Sequence, residues 1–228
     1  MSWFVRYARS SIGAKHIMAV TGLLLFLFTV VHMVGHLQMF GGREIYNTYA
    51  HFLQSLWEVK WPIRAGLVAV LAIHIIVALG LVAKNRAARP TRYAKYTPVV
   101  SSAAGRAMAF TGLAVFAFIA FHILHFTLGQ VQPGAFHTLD PQKRWDAYSM
   151  YVIGFQNPAI YGVYFAGMGL LALHLGHGAV SWLQSLGLRH PKYPVDRLGP
   201  MIALGLFAGY MIPPTAVLVG LIRLNGVG

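Results

Sequence analysis

The sequence predicts an all-α integral membrane protein, a bundle of five transmembrane helices forming one domain over residues 1–228. Three observations carry this. Of the 228 residues 57% are hydrophobic, only 10% are charged, and five separate apolar runs are long enough to cross a bilayer. A soluble domain carries about 25% charged residues, so the deficit means that most of the surface faces lipid.

A spanning helix needs about 20 largely apolar residues. The first run covers approximately 14–40, behind a basic segment from Trp3 to Lys15. From Ile17 to Phe40 it is too long for a signal-peptide core, and no small-residue cleavage pattern follows. The stretch Arg43 to Trp57 is amphipathic and aromatic, as expected of a short helix lying in the membrane interface. The second and third spans cover approximately 62–84 and 104–130. Residues 132–157 read as a longer outer loop, and Trp57, Trp61, Trp145 and Tyr148 as an aromatic belt. The fourth span, approximately 157–184, contains Gly162, Gly167, Gly169, Gly176 and Gly178, which let helices or a flat cofactor approach the backbone closely. The fifth, approximately 199–224, is expected to kink at Pro213 and Pro214.

The formal net charge is +13, from 18 Lys and Arg against 5 Asp and Glu. The basic residues cluster at span ends, so topology and anionic lipid explain them better than nucleic acid does. One side holds Arg6, Arg9, Lys15, Lys84, Arg86, Arg89, Arg92, Lys95, Arg106, Arg189, Lys192 and Arg197. The other holds Arg43, Lys60, Arg64, Lys143, Arg144 and Arg223. This excess predicts a cytoplasmic N-terminus and an external C-terminus in a cell inner membrane. Cysteine is absent. That excludes disulfides, thiolate zinc or iron–sulfur ligation by this chain, and covalent haem attachment.

Histidine is the unusual component. Seven of the 11 lie well inside the spans: His32, His36, His74, His122, His125, His174 and His177. Ionisable residues at membrane depth are costly, face the bundle interior and mark functional sites. With almost no intramembrane carboxylate to pair with, they read as ligands. His32 and His122 each sit about 7 residues before an outer span end, roughly 10 Å deep. His74 and His174 each sit about 10 residues before an inner end, roughly 15 Å deep. Two layers result, each with one histidine from each of two helices. Two facing imidazoles clamping one iron are what a non-covalent b-type haem needs. An internal repeat supports the first layer: Thr21-Gly22 and Thr111-Gly112 each precede a histidine (His32, His122) by nine intervening residues. Gly22 and Gly112 are expected to leave room for the inner porphyrin. His36, His125 and His177 follow a ligand candidate at i+3 or i+4 on a similar helix face. They suit alternative ligands, hydrogen-bond partners or quinone contacts; the ordinary reading is a satisfied polar side chain between helices.

Several motifs resemble a known family. Ser10-Ser11-Ile12-Gly13, Thr21-Gly22…His32-Met33, Asn47-x-x-Ala50-His51-Phe52, the second Thr-Gly…His122, and His174-Leu-Gly-His-Gly with Ser181 and Leu186-Gly187 are similar to the di-haem cytochrome b subunit of succinate:quinone oxidoreductases. That subunit is the single-chain, five-helix membrane anchor of succinate dehydrogenases and fumarate reductases. The resemblance covers nearly the whole chain. It implies that the first four helices surround two stacked haems b, the distal one held by His32 and His122 and the proximal one by His74 and His174. It also implies a flavoprotein and an iron–sulfur subunit on the cytoplasmic face, with a quinone, menaquinone by expectation, as substrate. His36 stands where relatives often carry Asn. Ala172 stands where some carry a carboxylate proposed to move protons.

Quinone reduction needs protons and hence polar groups near a membrane face. On the outer side Glu58, His51 and Trp57 are the candidates. On the inner side Ser11 and Lys15 are, with His16 and Arg106 as quinone or haem-propionate contacts. Interfacial anchoring is the ordinary reading of both groups. A competing reading is the cytochrome b subunit of another quinone-linked dehydrogenase, of the hydrogenase or formate dehydrogenase type. A haem-free transporter is a further alternative, but it would bring broken helices or intramembrane charge.

Overall fold

A computed structural model describes residues 2–88, 91, 102–190, 192 and 195–224, apart from the side chains of Phe4 and Asp196. Arg89, Arg92 and Lys95, which contribute to the charge asymmetry, lie outside the described residues. The described chain is almost entirely helical, with one isolated β-bridge between Leu139 and Trp145 and no strand. Its helices are α1 (Trp3–Arg9), α2 (Ser11–Leu37), α3 (Gly42–Ser55), α4 (Trp57–Ala87), α5 (Ala103–His122), α6 (Pro133–Phe136), α7 (Ala147–Gln156), α8 (Pro158–Ser185) and α9 (Val195–Leu218). Five segments are long and apolar enough to cross a membrane; four contain α2, α4, α5 and α8 in turn, and the fifth, Arg197–Leu218, lies within α9. The expected spans are therefore present, with ends displaced by a few residues.

Local chemistry sets the ends. Ser10 Oγ accepts from the Gly13 amide at 3.0 Å, and Ser102 Oγ accepts from the Gly105 amide at 3.0 Å. Each satisfies one of the amides that a helix start leaves unpaired. Asn157 does the same for α8, accepting from Ala159 at 2.9 Å, with Pro158 in the first turn, where no amide is missed. Beyond α2, a 3₁₀ turn over Gln38–Gly41 leads into Gly42, whose φ of +84° turns the chain into α3.

The helices α2, α4, α5 and α8 form a ring. α2 packs on α4 and on α8, α5 packs on α8, and α4 meets α5 lightly. In that order α2 faces α5 across the bundle, and α4 faces α8. α9 lies outside the ring against α8 and α2. Glycines permit the closest approaches. A Cβ on Gly199 would stand 2.7 Å from the Gly176 carbonyl oxygen, and one on Gly167 would stand 2.2 Å from the Phe118 ring. Gly176 and Gly167 of the fourth span thus receive neighbouring helices. Pro213 and Pro214 are buried within α9, which runs through them without interruption.

The segment expected to be an outer loop is instead a folded cap. Its helices α6 and α7 pack together, and α7 rests on α3, α8 and α9. The sequence pattern hid this because α7 is apolar all round; Tyr148, Tyr151, Val152 and Phe155 are all buried. Tyr148 therefore belongs to the core, whereas Trp57 and Trp61 are exposed and pack edge to face. A polar clamp ties the cap to α3. Asn47 Nδ2 donates to Asp146 at 2.9 Å and to Asp140 at 3.3 Å, while Asn47 Oδ1 accepts from the Tyr148 amide at 2.9 Å. Arg43 pairs with Asp146, and Arg144 bridges Asp140 and Glu44. Burial pushes the Asp146 carboxyl up, but hydrogen bonds from Arg43, Asn47 and Ser149 outweigh it and hold it at about 2.

Candidate cofactor site

The intramembrane histidines gather into two clusters at two heights. The first joins all four ring helices through two matched contacts. His74 of α4 lies against Thr21 of α2, Nδ1 to Oγ1 3.0 Å; His174 of α8 lies against Thr111 of α5 at 3.1 Å. Each threonine hydroxyl already donates to its own helix, Thr21 to the Ile17 carbonyl at 2.7 Å and Thr111 to the Met108 carbonyl at 3.2 Å. A hydroxyl has one proton, so in both contacts the histidine Nδ1–H donates. That assigns the lone pair to Nε2 in both rings.

The paired glycines act with the threonines. A Cβ on Gly22 would be 3.3 Å from the His74 ring, and one on Gly112 would be 3.2 Å from the His174 ring. Each Thr-Gly pair thus seats the edge of an imidazole from the adjacent helix, the threonine accepting and the glycine leaving space. Gly22 and Gly112, expected to leave room at the inner layer, stand beside the two inner-layer imidazoles. The repeat is real, but each copy serves the other cluster rather than the histidine in its own helix. His174 lies within electrostatic reach of both His74 and His177. His177 packs on Gly105 at the start of α5.

The second cluster stands eleven positions further along α2 and α5, roughly 16 Å at the helical rise. His32 of α2 and His122 of α5 face each other with ring centroids 5.9 Å apart and planes at 82°. His36 packs beside His32, the two Nε2 atoms 3.2 Å apart, and its Nδ1 meets the Tyr46 hydroxyl at 3.1 Å. His122 Nδ1 meets the Tyr164 hydroxyl at 3.2 Å. His125 is buried beside it in a π-helical turn, Ile123–Thr127. Helix α2 thus offers this cluster two imidazoles, flanked by Tyr46 and Tyr210, while Tyr164 packs on His122.

Among the described residues no three His, Cys, Asp or Glu side chains group to hold a bare ion. The donor set is imidazole pairs, with the Nε2 lone pairs of His74 and His174 left free by their threonine contacts. Such pairs suit a metal whose remaining ligands arrive with it.

The polar candidates near the membrane faces do not converge in the same way. His51, Trp57 and Glu58 are exposed around the α3–α4 junction. A groove of about 400 Å³ between the end of α2 and α3 is lined instead by Gln38, Glu44, Ile45, Thr48, Tyr49 and Phe52. At the other end Ser11, Lys15 and Arg106 are exposed, and His16 bonds to the Tyr7 hydroxyl. Sequence reasoning missed Tyr46, Tyr164 and Gln132, because a tyrosine or glutamine near a span end carries no pattern of its own.

No protein-family model matches this chain, and neither a curated protein nor a solved structure matches it.

Proposed function

We propose that this chain is a membrane cytochrome b, the quinone-linked electron-transfer anchor of a succinate dehydrogenase or fumarate reductase. In this reading His32 and His122 hold one haem b, and His74 and His174 hold a second. The observation that carries it is the pairing of four imidazoles from four helices, in two layers, across the diagonals of the bundle.

The residues suit such a group in three further respects. His32 and His122 stand on opposite helices with ring centroids 5.9 Å apart, near enough for both to reach one group bound between α2 and α5. Thr21 and Thr111 hold Nδ1–H of His74 and His174, the outer contact that orients a metal-binding imidazole. Finally, α4 runs for 31 residues without one buried residue. A helix that contributes His74 yet is only partly covered, by α2, suits a bundle completed by a large apolar cofactor.

Haem supplies one-electron redox chemistry when bound. The chain's residues supply position: histidine edges fixed by threonine and tyrosine, and an apolar bundle that excludes water. The lack of Cys leaves flavin and iron–sulfur chemistry to partner subunits, proposed to dock on the cytoplasmic face beside α1 and the starts of α2 and α5. Glu58, His51 and Trp57 on one side, and Ser11 and Lys15 on the other, remain the proposed quinone contacts, with menaquinone the proposed species. An inner-membrane location with the N-terminus cytoplasmic completes the proposal.

The test is spectroscopic. Purified protein is expected to show a reduced-minus-oxidised b-type spectrum with two haems per chain. His74→Ala is expected to remove one haem and leave the other. Absence of haem from the wild type would refute the assignment. Two haems without a co-purifying flavoprotein would assign the chain to another quinone-linked dehydrogenase.

A further inference from the structure

We infer that Tyr164, His125 and Gln132 form a directed hydrogen-bond chain that positions His122 and dictates which of its nitrogens faces the cofactor. This rests on the haem reading above. It concerns three residues that neither ligate nor react.

The direction of the chain follows from atom counting. His125 Nε2 lies 2.8 Å from Gln132 Oε1, and an amide oxygen only accepts. Nε2 of His125 therefore carries the proton. A charged imidazole at membrane depth is costly, so the ring is neutral and its Nδ1 accepts. The group facing that nitrogen is the Tyr164 hydroxyl at 3.0 Å, which donates its single proton there. The Tyr164 oxygen then accepts from His122 Nδ1–H at 3.2 Å. Each step leaves one choice, and the last leaves the lone pair of His122 on Nε2. The Thr21 and Thr111 contacts reach the same outcome for His74 and His174 by a shorter route.

Packing holds the chain in place. His125 is 3% exposed. A Cβ on Gly154 of α7 would lie 3.4 Å from both Gln132 Oε1 and the His125 ring, so α7 passes within van der Waals reach of their hydrogen bond. The π-helical turn Ile123–Thr127 allows His122 and His125 to address one hydroxyl; such turns recur at functional sites. Gln132 immediately precedes α6, so the chain ends in the folded cap. The cap is in this way coupled to the orientation of one imidazole in the bundle.

The test compares Tyr164→Phe, Gln132→Leu and Gln132→Glu with the wild type, reading haem content, the low-spin ferric resonance of each haem and its midpoint potential. Tyr164→Phe is expected to weaken haem retention at the His32–His122 site 10–100-fold, the usual loss for a removed outer contact. It is also expected to shift that haem's resonance and potential while the other haem is unchanged. Gln132→Leu is expected to act in the same direction, and Gln132→Glu, which keeps an acceptor oxygen, to retain the haem that Gln132→Leu weakens. A wild type with two haems whose signatures are all unmoved in Tyr164→Phe would overturn the chain and leave the haem assignment standing. A wild type without haem would overturn both. If Tyr164→Phe lost both haems, Gln132→Leu would decide: loss or shift confined to the one site supports the chain, and any other result overturns it.

Discussion

Replacing Asp146 by Ala tests whether the polar clamp holds the cap over the bundle. The carboxylate is 1% exposed and accepts from Arg43, from Asn47 at 2.9 Å and from the Ser149 amide at 3.1 Å. The Arg43 side chain is 39% exposed, so it rehydrates when freed and contributes less than about 1 kcal/mol. Asn47 is fully buried but keeps Asp140 as a second acceptor at 3.3 Å, so its loss is about 1 kcal/mol, at the low end for a buried polar group. Removing the cap of α7 costs about 1 kcal/mol more. The sum is about 2–3 kcal/mol, or roughly 4–12 °C in Tm for a chain of this size. Thermal unfolding in detergent, followed by circular dichroism, measures it. The sign with pH is fixed by the depressed carboxyl. Its contribution is complete above the ordinary carboxylate value of 3.8 and is lost as the pH falls toward about 2. The gap between wild type and Asp146→Ala is therefore expected to be constant at neutral pH and to close in acid. A variant within 0.5 kcal/mol of the wild type at pH 7 would refute the clamp, since surface substitutions stay within that range.

Further expectations follow from the bundle. Gly167→Ala places a methyl 2.2 Å from the Phe118 ring; α5 and α8 are expected to separate at a cost of about 1–3 kcal/mol, recovered in part by adding Phe118→Leu, as a double-mutant cycle of unfolding would show. Thr21→Val and Thr111→Val remove the acceptors for His74 and His174. Each is expected to weaken retention of one haem 10–100-fold and to spare the other, read as haem stoichiometry after dilution.

The sequence alone determined the five long apolar helices and the histidines placed within them. Apolar runs of membrane length do not depend on their neighbours, so α2, α4, α5, α8 and α9 were legible, as was the amphipathic α3. Histidine without carboxylate marked the interior, and counting residues from the span ends led to the expectation that His32 stands near His122, whose rings are 5.9 Å apart. Contacts between elements were not legible. The Thr-Gly repeat was visible, but only the helix arrangement shows that Thr21 and Gly22 seat His74, and Thr111 and Gly112 seat His174, each from the adjacent helix. The cap escaped for a related reason. Residues 132–157 lack helical periodicity because α7 is enclosed on several sides, so no polar face marks it. Asn47 and Asp146 stand 99 positions apart, and Tyr164 and His125 stand 39 apart. Periodicity records how one element meets its surroundings, and pairings over such separations exist only once the helices have packed.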